Sequence, residues 1–176
     1  MKSVELLPGD PIDNLAIGTI IEVDGTRIVA EIDSEIAELS RVYAGMVYPI
    51  GQFGSIIRIH YGRNILYAYV NRLRMKAEYQ LERGLPANFD PSDRVIEADL
   101  FGEGEWKHIG ENVDKEWRLD FERGVSTFPL PQQRIYLTPV SELRYIFGQG
   151  IAAPIEIGEH VGSGGSPAFA DLNELL

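Results

Sequence analysis

Apolar residues in this chain fall in short runs that alternate with polar positions and are broken by glycine and proline, the pattern of strands joined by turns. The clearest case is IGTIIEV, DG, TRIVAEI, where Ile17 to Val23 and Thr26 to Ile32 are expected to form a hairpin about a type I′ turn at Asp24-Gly25. A second hairpin is expected in SIIRIHY, GRN, ILYAYV, with Gly62 to Asn64 as a three-residue turn. Between the two, Ser34 to Tyr43 reads as a helical turn and Val47 to Ile50 as a short strand, with Pro49 at an edge or bulge. Gly51 and Gly54 are available for sharp bends, and hairpins at this spacing point to a small closed or nearly closed barrel.

Further along, Arg72 to Arg83 has helix-forming composition with apolar spacing through Leu73, Ala77 and Leu81. Arg94 to Gly102 reads as a strand, and Glu103 to Arg118 as a protruding charged loop or hairpin tip. Leu119 to Phe121, Ser126 to Phe128 and Arg134 to Leu137 read as short strands. Val140 to Phe147 reads as a helix with Ser141 as N-cap, Glu142 in its first turn and Gly148 at its end. The expected fold is therefore mainly β: a small barrel with additional strands and one or two short helices. It divides into an N-terminal arm over 1–16, barrel hairpins over 17–71, the rest of the barrel with its charged loop and helix over 72–159, and a linker over 160–176.

Composition narrows the chemistry. Hydrophobic residues make up 44% of the 176, enough for a core, and the 18 glycines and 10 prolines are spread along the chain. The net charge of −11 repels a phosphate backbone unless basic residues cluster. The absence of cysteine excludes disulfides and thiolate metal sites. With no apolar leader or membrane-length apolar run, the expected location is cytoplasmic.

The candidate chemical motifs are weak. Gly162 to Ser166 is rich in glycine, but the nearest lysine in the sequence is Lys115, so no Walker A loop is present and a flexible linker is the better reading. GEGEWK, Gly102 to Lys107, lacks the helix of a dinucleotide site. His60, His108 and His160 have no ligand spacing, so no metal is expected. Glu97, Asp99, Glu103 and Glu105 supply carboxylates for a hydrolase, although among 27 acidic residues a solvated face is the simpler account. Tyr61, Tyr67 and Tyr69, with Arg58, Arg63 and Arg72, imitate the stacking platform of an OB-like single-strand binder. The acidic balance favours packing or a protein interface instead.

Several stretches taken in order are similar to the N-terminal region of HerA-type ATPases, hexameric DNA translocases related to FtsK: IGTIIEVDGTRIVAEI, YPIGQFGSIIRIHYGRNILYAYV, RVIEADLFGEGEW, FERGVSTFPLPQQRIYLTPVSELRYIFG and DLNELL. The resemblance covers nearly the whole chain from Ile17 onward and implies a HAS-barrel, the small barrel that resembles the N-terminal domain of ATP synthase catalytic subunits. It implies a non-catalytic assembly and docking module, with ATP, magnesium and DNA handled by an ATPase core whose Walker A loop is expected beyond Leu176. The implied partners are further copies in a hexameric ring and a nuclease of the NurA type or a sirtuin-like effector, in DNA end processing or anti-phage defence. No catalytic, cofactor or metal residue is expected in this chain. The candidate interface residues are Ile57, Ile59, Tyr67 and Tyr69 for core and neighbouring-barrel packing, and Glu103, Glu105, Trp106 and Lys107 for effector docking. Gln132-Gln133 departs from the pattern, because a glycine is expected after the FPLP turn.

Overall fold

The computed structural model describes residues 7–109, 116–148, 154–160 and 166–175. A single 3-10 turn, Asp13–Leu15, leads into β1 (Ala16–Asp24) and β2 (Arg27–Ile32). A small separate hairpin follows, β3 (Ser40–Tyr43) with β4 (Met46–Pro49), then β5 (Ile56–Tyr61) and β6 (Asn64–Met75). Next come α1 (Lys76–Glu82), β7 (Arg94–Ile109), β8 (Glu116–Arg123), β9 (Arg134–Leu137) and α2 (Val140–Gly148). A second small hairpin, β10 (Pro154–His160) with β11 (Ser166–Asp171), precedes α3 (Leu172–Leu175).

Six strands close on themselves in the order β1-β2-β7-β6-β5-β9, every pairing antiparallel, so the expected small β-barrel is present. Alternation fills it: Ile57 and Ile59 of β5, Leu66, Ala68 and Val70 of β6, and Ile96 and Ala98 of β7 form one buried cluster with Ile17, Ile28 and Ile135. The β5 run is buried on both faces, because Ile56 and Arg58 lie in a second layer with Tyr67, Leu119, Leu143 and Ile146. That layer belongs to α2 and β8, and it explains why IIRI carries no exposed position.

β7 is the strand that joins the barrel to its outer layer. Its first half pairs with β2 from Val95 to Asp99, and its second half pairs with β8 from Gly102 to Ile109, so the same edge changes partner within three residues. Phe101 is the extra residue of a bulge, since Tyr67 faces Gly102 while Ala68 faces Leu100. Gly102 is required here: a Cβ would lie 2.4 Å from the Phe121 ring and 2.8 Å from the Glu122 carbonyl.

Several expectations are corrected. Both hairpin turns are two-residue loops: Gly25-Thr26 sits inside the pair Asp24 and Arg27, and Gly62-Arg63 inside Tyr61 and Asn64. Only the glycine of each takes a positive φ, +59° and +63°, as in a type II′ turn rather than I′. The type I′ pattern occurs instead at Ala44-Gly45, where both φ angles are positive. Ser34 to Tyr43 holds turns and β3, not a helical turn. The helix expected over Arg72 to Arg83 begins only at Lys76, because Arg72 to Met75 remain paired with β7. Of Glu103 to Arg118, expected as a charged loop or hairpin tip, Glu103 to Ile109 and Glu116 to Arg118 lie in the strands of the β7–β8 hairpin, while Ser126 to Phe128, expected as strand, is not strand. Helix α2 starts one residue before Ser141, which lies inside it. The stretch expected as linker, 160–176, begins at His160, the last residue of β10, and holds β11 from Ser166 and then α3, whereas 161–165 and Lys115 lie outside the described residues.

Gln132 follows Pro131 with φ +77°, and the Gln133 N–H donates to the Leu130 carbonyl at 3.3 Å, which places a non-glycine residue where a type II turn calls for glycine. The Gln132 N–H also donates to the Ile20 carbonyl of β1 at 2.8 Å, so the turn cannot relax without loosening the barrel wall. Gln132→Gly should therefore stabilise the fold by about 0.5 kcal/mol, the left-handed strain removed less the added unfolded-chain freedom. Equilibrium denaturation measures this, and a loss of stability would show that the glutamine side chain, not its backbone, dominates at this position.

Candidate functional site

The outer face of β5 carries Arg58 directly opposite Tyr67 of β6. Both are buried, at 1% and 0% exposure, and both meet Glu142 from the first turn of α2. Arg58 Nη1 donates to Glu142 Oε2 at 2.6 Å, the Tyr67 hydroxyl donates to Glu142 Oε1, and Arg58 Nη2 donates to the Asp10 carbonyl at 3.2 Å. One charge cluster thus ties two barrel strands, the covering helix and the N-terminal arm. Burial pushes the Glu142 carboxyl up, against the pull of Arg58 and of the hydroxyl it accepts from. Burial and then the Glu142 charge push the Tyr67 hydroxyl well above its ordinary range, so it acts here as a donor.

The arm reaches this cluster through a tight turn. Leu7 to Asp10 has Pro8 second and Gly9 third with φ +91°, closed by the Asp10 N–H donating to the Leu7 carbonyl at 3.0 Å. The Asp10 carboxylate accepts from the Leu7 N–H at 2.8 Å. Gly9 lies on the Trp106 indole so closely that a Cβ would stand 2.3 Å from its Cδ1. Open grooves of about 500 and 630 Å³ flank the arm. Both tryptophans, Trp106 and Trp117, line both grooves; Tyr43, Tyr145 and Arg144 complete one, and His60, Arg63 and Glu105 the other. Tyr145 packs edge-on to Trp106 with centroids 5.2 Å apart, and the Arg144 guanidinium lies 5.1 Å from the Tyr145 ring.

Three buried nitrogens in this region make no hydrogen bond among the described residues: Arg58 Nε, His60 Nε2 and Trp106 Nε1. His60 packs edge-on to Tyr136 at 5.0 Å, and burial, followed by the Arg58 charge, lowers its pKa from 6.5 to about 4. His108 packs on Trp117. Among the described residues no group of three or more His, Asp or Glu side chains is arranged to hold a metal ion.

The candidate interface residues separate into two groups. Ile57, Ile59 and Tyr67 are inside, at 1%, 0% and 0% exposure, so packing takes all of their side-chain surface and leaves none for a neighbouring barrel. Tyr69 is half-buried and stacks on Phe101 with centroids 3.9 Å apart. Of the residues in the OB-like reading, Tyr67 and Arg58 are buried, Tyr69 is half-buried, and Tyr61, Arg63 and Arg72 are exposed. By contrast Glu103, Glu105 and Lys107 share the outer side of the β7–β8 hairpin, and Trp106 turns to the opposite side beneath the arm. Glu103 stands opposite Glu122 and Glu105 opposite Asp120, with Lys107 Nζ 2.5 Å from Asp120. Glu103 accepts from the Ser126 hydroxyl at 2.6 Å, and that bond is the main cause of its lowered pKa.

The remaining carboxylates of the hydrolase reading are already occupied. Glu97, buried on the wall beneath α1, lies between Arg27 and Arg74, the latter at 2.6 Å, while Asp99 accepts from Asn71 at 2.6 Å. Tyr79 of α1 donates to Glu22 and lies between the guanidinium groups of Arg74 and Arg83, at 5.3 and 5.2 Å. These contacts fasten the helix to the barrel.

Sequence reasoning missed the Arg58–Tyr67–Glu142 cluster and the arm on Trp106. The available signal was a lone arginine inside an apolar strand run, since a charge there needs a buried partner. No family model matches the chain, and no curated protein matches it.

Glu142→Ala leaves Arg58 charged and dry, and should cost about 3–5 kcal/mol in denaturant unfolding. The triple change Arg58→Met, Tyr67→Phe, Glu142→Leu should recover most of this, to within about 1–2 kcal/mol of the parent, because no uncompensated polar group is then left under α2. Equal losses in the single and triple variants would show that the cluster is not the cause.

His60 sets a pH dependence. Its folded pKa of about 4 lies below the ordinary 6.5, so the unfolded chain binds the proton more readily. The stability it contributes is complete above 6.5 and is lost as pH falls towards 4. After allowance for solvent screening of this partly exposed ring, the loss is about 1 kcal/mol near pH 5. His60→Gln should show that much less acid destabilisation between pH 7 and 5; parallel pH curves for the two proteins would refute the assignment.

Proposed function

We propose that this chain is the non-catalytic N-terminal assembly and partner-docking barrel of a HerA-type DNA translocase. Its task is to help order a ring and to present a surface to an effector, a nuclease or a sirtuin-like protein, in anti-phage defence or DNA end processing. The observation that supports this reading is the closed six-stranded barrel, since a small barrel is what the resemblance implies, and it is formed largely by the stretches on which the resemblance rests. It is supported by the placement of polar chemistry: the buried charges make structural contacts, and the groups left exposed form an acidic row and an aromatic groove suited to binding. ATP, magnesium and DNA belong to the ATPase core in this reading, and the barrel acts without a cofactor of its own.

The coding sequence downstream of Leu176 tests the assignment directly. A glycine-rich loop ending in lysine and serine or threonine within the next few tens of residues is expected, and a frame without one removes the HerA reading. The purified chain is expected to turn over no ATP and to leave the anisotropy of a labelled single-stranded oligonucleotide unchanged at low salt. Tight oligonucleotide binding with a steep salt slope would replace the docking role with nucleic-acid binding.

A further inference from the structure

The N-terminal arm covers the tryptophan groove without satisfying it. Gly9 seats on the Trp106 indole, yet Trp106 Nε1 is buried with no acceptor among the described residues, and the neighbouring Arg58, which gives Nη2 to the Asp10 carbonyl, has a buried Nε without one. Covering a donor without supplying an acceptor forfeits its hydrogen bond to water, so the arm holds its seat at a disadvantage. The contact it does make defines a mode of recognition: a tight Pro-Gly turn on an indole face, followed by a main-chain carbonyl received by a buried arginine.

We propose that the groove lined by Trp106, Trp117 and Tyr145 is a peptide-docking site, and that residues 7–11 are its tethered, displaceable occupant. The ligand is an extended segment of a partner protein, bearing proline and glycine, whose carbonyls engage the Trp106 indole N–H and the Arg58 guanidinium that the arm leaves unmet. Aromatic-lined grooves with an indole donor suit such segments, which lose little chain entropy on binding. Charge adds a second criterion. Glu105 lines the other groove that flanks the arm and continues into the row of Glu103, Asp120 and Glu122, so the end of the segment that reaches this row carries basic residues. The proposal rests on the partner-docking reading for the existence of a partner, but peptide binding is measurable whether or not the chain belongs to a translocase.

A tethered arm competes at an effective concentration of about millimolar, which masks a weak external peptide. Gly9→Val unseats the arm, because a side chain there collides with Trp106 and the φ of +91° excludes a β-branched residue. The probe is the nonapeptide ELLPGDPID, the chain's own residues 5–13, titrated into the full-length Gly9→Val protein. Both tryptophans line the groove, so intrinsic emission reports occupancy. The expected result is saturable binding at least tenfold tighter than to the parent protein, abolished when valine replaces glycine in the peptide and in Trp106→Phe/Gly9→Val protein. Versions with three added lysines at either end should show at least threefold tightening for one of them at low salt. A folded variant whose emission stays flat to millimolar peptide overturns the proposal, and no tightening by either lysine version overturns its basic-flank part. A concentration-dependent dimer of the parent chain, seen by light scattering with altered emission, would assign the seat to a second copy's arm instead. If Gly9→Val fails to fold, hydrogen exchange on the parent protein decides: peptide near saturation should speed exchange at the Gly9 and Asp10 amides, and unchanged exchange there overturns the displacement.

Discussion

The buried contact of Arg58 with Glu142 and Tyr67 is the constraint from which the outer half of this molecule follows. A guanidinium cannot shed its proton, so once β5 places Arg58 on a face covered by a helix, something must neutralise it there. The partner comes from 84 residues away, in the first turn of α2, where an acidic residue also suits the positive end of a helix. Tyr67 occupies the second carboxylate oxygen, and the arm carbonyl takes the far side of the arginine. Each contact specifies position as well as energy. Hydrophobic packing by Leu143 and Ile146 would tolerate small slides of α2 over the wall, whereas a forked guanidinium and a hydroxyl, both aimed at one carboxylate, tolerate very little.

The change of partner along β7 creates the surface on which that cluster acts. A sixteen-residue strand is too long to be used by the barrel alone, and after Asp99 its edge passes from β2 to β8. The bulge at Phe101 turns the strand as it leaves the barrel, and the hairpin so formed becomes the wall against which α2 and the arm rest. Trp106 and Leu119 are paired across this hairpin, so the same register that buries Leu119 under α2 places the indole under the arm.

The β1–β2 and β5–β6 hairpins, β9 and α2 were legible in the sequence because each is a short run rich in apolar residues bounded by glycine, proline or polar turn residues, even where, as in β5, both faces are buried. The strand over Glu103 to Ile109 was not, for a physical reason: its inward positions begin with Gly102 and Gly104, and the apolar groups filling that space are Phe121 and Leu119 of the opposite strand. Polar residues alternating with glycine then read as loop. The end of β6 was hidden in the opposite way, since Arg72 to Met75 favour helix by composition but stay paired with β7, with Arg74 held by Glu97. At the candidate site, the sequence exposed Trp106 and the acidic residues but not their arrangement. A partner as distant along the chain as Glu142 leaves no local pattern around Arg58.

Closure of the barrel leaves its six strands without free edges, so a partner strand could add only to its attachments, such as the outer edge of β8, and not to the barrel wall. Two of these differ in kind. The acidic row on the β7–β8 hairpin sets Glu103 against Glu122 and Glu105 against Asp120, an arrangement that costs stability and is only partly relieved by Lys107 and Ser126. Exposed charges of this sort are screened within about 8–10 Å at physiological ionic strength, so they draw in and orient a basic partner more than they hold it. The tryptophan grooves differ in kind: they offer aromatic surface and buried donors, with the exposed Arg144 at one and Arg63 at the other. In the proposed docking role retention falls to aromatic surface and approach to the acidic row, and Glu105 borders both that row and one of the two grooves.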